Sequence, residues 1–135
     1  AQGRAFCYRV LGISRYANTQ ALFERAAALG VRHWLDESLQ TEGGIAQALQ
    51  DLAADLAQAD AVHLSIDLDV LPGSLVPGVS APAPLGVPLW GVERAVDAVL
   101  ASGKLVAADL AELNPSFDRD GLSARVAARL AARIA

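Results

Sequence analysis

The sequence predicts an α/β fold with three layers, in which a mainly parallel sheet lies between helices and only part of the sheet is present in the chain. Two observations carry this prediction. Short apolar segments of strand length alternate with longer segments whose apolar residues repeat at helical spacing. Strands separated by helices imply right-handed crossovers and a parallel sheet covered on both faces. At 135 residues, 53% of them hydrophobic, the chain is long enough for one domain and too short for two.

Four segments predict the elements of the first half of the chain: a buried strand, a helix, a short strand and a long helix. In that order they are residues 6–13, 18–29, 31–35 and 45–57. Asn18 or Thr19 can cap the first helix, and Gly30 can end it. Gly43 and Gly44 break the chain before the long helix, whose apolar residues follow a single stripe.

The second half repeats this alternation around one long loop. Its elements are a strand, a helix, a strand and a final helix, predicted at residues 61–70, 92–101, 105–113 and from about 120 to the end. Residues 71–88 are rich in Pro, Gly and Ser, and a loop of that length inside a domain is usually functional or mobile. Asp120 or Ser123 can cap the final helix.

Charge and composition exclude several kinds of partner. The net charge of −4 gives no basic surface for nucleic acid. The sequence has no apolar run of about 18 residues, as a bilayer span requires. A single cysteine cannot form an internal disulfide, which suits a reducing cytoplasmic location. We therefore expect a cytoplasmic protein whose partner is a small-molecule substrate.

Asp67 and Asp69 are the first candidates for chemistry. If the strand runs through residue 70, Ile66 and Leu68 face apolar packing, and the two carboxylates share the other face, about 6.6 Å apart. Like charges at that spacing repel and are costly to bury unpaired. They also lie at the carboxyl end of the strand, where parallel sheets bind ligands. One or two divalent cations would resolve the repulsion.

Two other interpretations of this strand stay open at this point. Both aspartates could lie in the loop and be solvated, since Asp-x-Asp is common. His63 faces the same side as Asp67, but at about 13 Å along the strand it is too far to share a metal. A polar contact within the fold suits His63 better.

Two motifs resemble those of the arginase family, which includes arginases, agmatinases and formimidoylglutamases: its final signature, in two adjacent stretches, and a later Glu-x-Asn-Pro turn. They are residues 65–72 (SIDLDVLP), residues 77–82 (PGVSAP) followed by Gly86, and residues 112–115 (ELNP). In that family a Ser-x-Asp-x-Asp strand leads into a Pro-Gly loop, and a Glu-x-Asn-Pro turn ends the next strand. The resemblance implies that residues 1–135 are the C-terminal part of a single arginase-like domain.

The resemblance also implies roles for individual residues. Asp67 would bridge two Mn²⁺ ions and Asp69 would bind one of them. Glu112, the candidate catalytic residue, would accept hydrogen bonds from the planar amidine-like nitrogens of the substrate. The reaction would be attack on the C=N carbon by water that the metals acidify.

The stretch after the first strand resembles the formimidoylglutamases. Arginases and agmatinases usually have Arg-Asp there, whereas this chain has Ser14 and Arg15, followed by Asn18 and Thr19. The substrate N-formimino-L-glutamate carries two carboxylates, and Arg15 could pair with one of them in a bidentate fork, with Asn18 as a further substrate-binding residue. The alternative is that Arg15 is a surface residue beside the helix cap. The implied reaction is hydrolysis of N-formimino-L-glutamate to L-glutamate and formamide, as in histidine breakdown.

Part of the family's metal site is missing from this sequence. The family takes its other ligands from GGDH and DAHxD motifs, and neither His33 nor His63 lies in such a context. The chain also begins at Ala1, so we expect a fragment that binds Mn²⁺ weakly and is inactive alone. The complete enzyme is expected to be a homo-oligomer, as family members are. Two rival functions remain: hydrolysis of agmatine or a guanidino acid, and a non-catalytic α/β assembly domain.

Overall fold

The computed structural model describes residues 6–135, in which four strands alternate with four α-helices. The strands and helices are, in chain order, β1 Arg9–Ile13, α1 Gln20–Ala28, β2 Arg32–Leu35, α2 Glu42–Gln58, β3 Val62–Asp67, α3 Leu89–Ala101, β4 Leu105–Ala111 and α4 Leu122–Ile134. Two short 3-10 turns, Asp36–Leu39 and Leu68–Val70, directly follow β2 and β3. No helix in residues 6–135 combines the length and the hydropathy needed to cross a membrane.

The predicted parallel arrangement is confirmed. β1 pairs with β2 and β3 pairs with β4, both in parallel, so within residues 6–135 the strands form two two-stranded sheets. The carboxyl end of β1 lies against the segment after β3, because a Cβ placed on Gly12 would come 2.4 Å from Cγ2 of Val70. The strand ends that can carry a ligand site therefore meet on one side of the molecule.

Helices cover one face of the β3–β4 pair and leave the other open. On the covered face, residues of α2 and α3 pack against the strands: Leu52, Leu56 and Val99 against Val62, Leu64 and Leu105. The opposite face exposes His63, Ser65 and Asp67, and the Val106 side chain is 72% exposed. The expectation of a sheet covered on both faces is therefore wrong for this strand pair within the described residues.

The long loop between β3 and α3 is a packed part of the core. Four of its apolar side chains are almost fully buried, with exposures of 0 to 3% for Leu71, Val76, Val79 and Val87. Pro72 forms a β-bridge with Ala83, and the N–H of Gly73 donates to the Ala83 carbonyl at 2.8 Å. The loop is thus an ordered segment of the core. Its buried apolar residues do not recur at helix or strand spacing.

The glycines predicted to break the chain before α2 lie inside its first turn. The Oγ1 of Thr41 caps the helix by accepting the Gly44 N–H. A Cβ on Gly44 would come 1.9 Å from the Ser38 carbonyl oxygen, so this residue permits close contact with the preceding 3-10 turn.

The cap of α4 also differs from both predicted candidates. The carboxylate of Asp118 accepts the N–H groups of Ser123 and Ala124, at 2.8 and 2.9 Å. The Ser123 side chain is fully buried and has another partner, because its Oγ accepts the N–H of Gly78 at 2.8 Å. The start of α4 is therefore attached to the long loop.

Candidate functional site

Three acidic residues lie at the carboxyl ends of β3 and β4. Asp67 is the last residue of β3 and pairs in register with Ala111, the last residue of β4, so Glu112 follows one position beyond. Asp69 follows in the 3-10 turn. The sequence prediction that these side chains share one end of the sheet therefore agrees with their placement.

The predicted reason for the position of Asp69 is wrong. β3 ends at Asp67, and residues Leu68–Val70 form a 3-10 turn, so strand alternation does not place Asp69 beside Asp67. The turn buries Leu68 completely while Asp69 stays half-buried near the surface. Burial of one residue two positions after Ile66 fits either a further strand residue or the first residue of a turn, so the pattern of Ile66 and Leu68 did not distinguish them.

The environment of these carboxyls disfavours their charged forms. Burial raises the pKa of Asp69, and the negative charges of Asp67 and Glu112 raise it further. Although Asp67 is largely exposed, partial desolvation raises the pKa of its carboxyl, and the charges of Glu112 and Asp109 raise it further. Each of the charges that act on Asp67 and Asp69 is negative. A bound cation would supply the missing positive charge.

Glu112 has an uncommon backbone conformation. Its φ of 69° lies in the left-handed region, which a residue other than glycine seldom adopts. The Oγ of Ser80 donates to Oε2 of Glu112 at 3.4 Å, and the Asn114 N–H donates to the Gly78 carbonyl at 2.7 Å. The long loop thus contacts the segment that carries Glu112. Backbone strain of this kind is concentrated at functional sites.

Sequence reasoning missed Asp109 as part of this region. One of its carboxylate oxygens accepts the Ser65 hydroxyl, and the other lies against Nε2 of His63, each at 2.7 Å. Hydrogen bonds from Ser65 and then His63 lower the pKa of Asp109. His63 therefore makes the polar contact that was expected of it. The register that pairs Ser65 with Asp109 would have identified this cluster, but a single sequence does not give that register.

Arg15 and Asn18 lie beyond the carboxyl end of β1, away from direct contact with the three carboxylates. Nε of Arg15 donates to Oε1 of Glu37 at 2.9 Å, and the Asn18 amide donates to the Ser14 carbonyl at 2.9 Å. Both side chains line an open cavity together with Gln20, Phe23, His33 and Leu35. The end of β1 is nevertheless close to the acidic residues, because Gly12 packs against Val70, the neighbour of Asp69.

The candidate metal ligands in residues 6–135 are too few for a complete centre. Within residues 6–135, no three His, Cys, Asp or Glu side chains come together in a way that could hold a metal ion. Asp67 and Asp69 offer carboxylate oxygens, which suit Mn²⁺ and similar ions. Further donors would have to come from outside these residues.

Replacing Asp67 with Asn is expected to raise the melting temperature of the metal-free chain by a few degrees at about pH 7. Because the pKa of Asp67 is raised on folding, its carboxyl stabilises the fold when protonated, and that stability is lost as the pH rises through the raised pKa. The difference between variant and parent should shrink as the pH falls toward the ordinary aspartate value of 3.8.

Thermal unfolding followed by circular dichroism in the presence of EDTA measures this difference. Asp60→Asn is the matched control, since Asp60 is exposed near the amino end of β3. A fall in the melting temperature of the Asp67 variant, or an equal rise in the control, would contradict the prediction.

Comparisons with known proteins agree with this geometry. A sequence profile described as the arginase family matches residues 4–135. The formimidoylglutamase of Aeromonas hydrophila is 55% identical over 129 residues, which cover 96% of this chain and 41% of that protein. The formimidoylglutamase of Cupriavidus pinatubonensis is 55% identical over 133 residues, with 98% and 42% covered. The chain therefore spans about two fifths of the length of the curated relatives that it matches.

Solved structures show the same fold. The crystal structure of formimidoylglutamase from Bacillus subtilis matches with a TM-score of 0.85 at 24% identity, covering 93% of this chain and 39% of that one. The native arginase structure from Bacillus caldovelox matches with a TM-score of 0.82 at 24% identity, with 93% and 42% covered. At this identity the likeness establishes the arginase fold.

Proposed function

The chain belongs to the arginase family, and on that premise we propose that it supplies Asp67, Asp69 and Glu112 to the active site of a metal-dependent formimidoylglutamase. The observation that carries the proposal is the placement of these residues where β3 and β4 end, close enough for their charges to raise the pKa values of both aspartates. The other metal ligands would come from the portion of the relatives that this chain does not span.

Asp67 and Asp69 fit a site for two Mn²⁺ ions. Asp67 and Asp69 would hold the ions, whose positive charge would offset the repulsion between these carboxylates. Carboxylates are suitable ligands for Mn²⁺. When bound, the ions would supply a water molecule of lowered pKa and polarise the C=N group.

Glu112 would hold and orient the reacting end of the substrate. A carboxylate accepts two parallel hydrogen bonds from a planar amidinium group, which fixes both its distance and its plane. The hydrogen bond from Ser80 and the left-handed backbone limit the positions open to Glu112 before the substrate arrives. Water would add to the formimino carbon and the bond to the glutamate nitrogen would break, giving formamide and L-glutamate.

Arg15 and Asn18 would recognise the substrate's carboxylates. The guanidinium side chain is 58% exposed beside an open cavity, so a ligand can reach it. The two relatives described above, each 55% identical, are named formimidoylglutamase. Both observations favour a dicarboxylate substrate over agmatine, which carries no carboxylate.

A chimera tests the proposal. The portion of the Aeromonas hydrophila enzyme that precedes the matched region would be joined to this chain, and the Mn²⁺-loaded protein assayed with N-formimino-L-glutamate, agmatine and guanidino acids. We expect hydrolysis of formiminoglutamate by the chimera and none by the 135-residue chain alone. Faster hydrolysis of agmatine or of a guanidino acid would overturn the assignment. So would a chimera that folds without gaining thermal stability from Mn²⁺, as a non-catalytic assembly domain would.

Arg15→Ala in the same chimera should raise KM for formiminoglutamate at least about tenfold, because a charge-assisted contact would be lost. Hydrolysis of any substrate without a carboxylate should be unaffected. An unchanged KM for formiminoglutamate would remove Arg15 from the proposed site.

Assembly and location remain predictions. We propose that the complete enzyme forms homo-oligomers in the cytoplasm, and the open face of the β3–β4 pair is the surface available for further contacts in residues 6–135. Light scattering on the chimera measures the oligomeric state.

A further inference from the structure

We propose that Glu37 is a positioning residue. Its hydrogen bond orients Arg15 toward a carboxylate of the substrate, while its negative charge lowers the affinity of the site for that carboxylate. Glu37 holds Arg15 through Nε, which leaves the two terminal nitrogens of the guanidinium free to form a fork. The inference deepens the proposed function and rests on it, because it assigns Arg15 to the carboxylate of a formiminoglutamate-like substrate.

The contact between the two side chains uses one donor of the guanidinium. Nε of Arg15 donates to Oε1 of Glu37 at 2.9 Å. A guanidinium has five N–H groups in a rigid plane, so a partner at Nε leaves the edge formed by the two terminal nitrogens available. That edge presents two parallel N–H groups, which can pair with both oxygens of a carboxylate.

The backbone beneath Glu37 is fixed, while its side chain is free to reach Arg15. Glu37 lies in the 3-10 turn after β2, between Asp36 and Leu39, which are 7% and 1% exposed. Oδ1 of Asp36 accepts the Glu37 N–H at 2.8 Å, and the Ser38 hydroxyl donates to the Leu35 carbonyl. The Glu37 side chain, by contrast, is 46% exposed. A rigid support is the requirement for one residue to orient another.

The position of the pair agrees with ligand binding. Arg15 follows β1 and Glu37 follows β2, so both lie at the carboxyl ends of neighbouring parallel strands. The cavity beside Arg15 is lined by three further polar side chains, those of Asn18, Gln20 and His33. Groups of this kind can donate hydrogen bonds to the oxygens of an amino acid substrate. Glu37 does not line this cavity.

Glu37 has two opposing effects on an anionic ligand. Its charge repels the incoming carboxylate, and its hydrogen bond reduces the freedom that Arg15 must lose on binding. Glu37→Gln keeps an acceptor oxygen and removes the charge, whereas Glu37→Ala removes both. The two variants therefore separate orientation from repulsion.

The test uses the Mn²⁺-loaded chimera. Glu37→Gln should lower KM for formiminoglutamate about threefold, and Glu37→Ala should give a KM about three to ten times that of the Gln variant, with kcat unchanged in both. Glu42→Gln is the matched control, because it removes an exposed charge from the start of α2, and it should leave KM unaltered.

Arg15→Ala provides the decisive background. If Glu37 acts through Arg15, neither Glu37 variant should change KM further once Arg15 is absent. Isothermal titration with L-glutamate gives the same comparison of affinities without turnover, so it decides the inference even if the chimera does not hydrolyse formiminoglutamate.

Failure of this inference is distinguishable from failure of the proposed function. Equal affinities for the parent and both Glu37 variants, or effects that persist in the Arg15→Ala background, overturn the role of Glu37 while hydrolysis of formiminoglutamate stands. Lack of hydrolysis by the parent chimera overturns the proposed function instead.

Discussion

Replacing Asp67 with Asn in the Mn²⁺-loaded chimera is expected to lower kcat/KM for formiminoglutamate by more than about 100-fold. Loss of a side chain that only supports a metal ligand typically costs 10- to 100-fold in affinity or activity, and Asp67 is proposed as a direct ligand of both ions. The amide keeps the size of the carboxylate but loses its charge, so it cannot balance two cations.

Metal content and turnover measured on the same preparation test this expectation. Asp60→Asn, at the other end of β3, should retain both full metal content and parental turnover. Full Mn²⁺ occupancy in the Asp67 variant would show that the carboxylate is not a ligand. If the variant loses activity and its metal-free form melts at a higher temperature, the charge of Asp67 serves metal binding and destabilises the metal-free fold.

Replacing Gly86 with Ala is expected to lower the free energy of unfolding of the chain by about 3 kcal/mol or more. Its φ of +67° already disfavours any side chain, which contributes roughly 1–2 kcal/mol. A Cβ there would also come 2.4 Å from the Pro72 nitrogen and 2.6 Å from the Leu71 carbonyl carbon. Because both atoms belong to the backbone, the clash can be relieved only by movement of the loop. Overpacking of this kind typically costs a further ~1–3 kcal/mol.

Gly103→Ala is a matched control for the backbone conformation. Its φ is also +67°, and nothing lies within 4 Å of the position that a Cβ would take. Urea unfolding of both variants therefore isolates the cost of the close approach. Equal losses of stability at the two positions would mean that the loop shifts freely, which would contradict the close packing of residues 71–88.

The order and type of the main elements could be predicted from the sequence because each has its own apolar period. Asp67 was placed correctly at the end of a strand for the same reason. Asp69 was not, since a 3-10 turn and one more strand residue bury Leu68 equally well. The packing of the long loop, which was expected to be functional or mobile, could not be predicted, because its buried residues Leu71, Val76, Val79 and Val87 follow no regular period.

Partners that are distant in sequence could not be predicted without the pairing of strands. Asp109 joins Ser65 and His63 across the β3–β4 register, and Glu37 joins Arg15 across the end of the β1–β2 pair. In the sequence, Asp109 and Glu37 are visible only as single charged residues in or beside apolar segments. What they contact depends on tertiary geometry, which local patterns do not carry.

The attachment of Ser123 to Gly78 joins α4 to the loop that contacts Glu112, the residue proposed to bind the substrate. The same loop that receives this hydrogen bond passes Asn114 and supplies Ser80 to Glu112. Deleting residues of α4 is therefore expected to disturb the position of Glu112 as well as the fold.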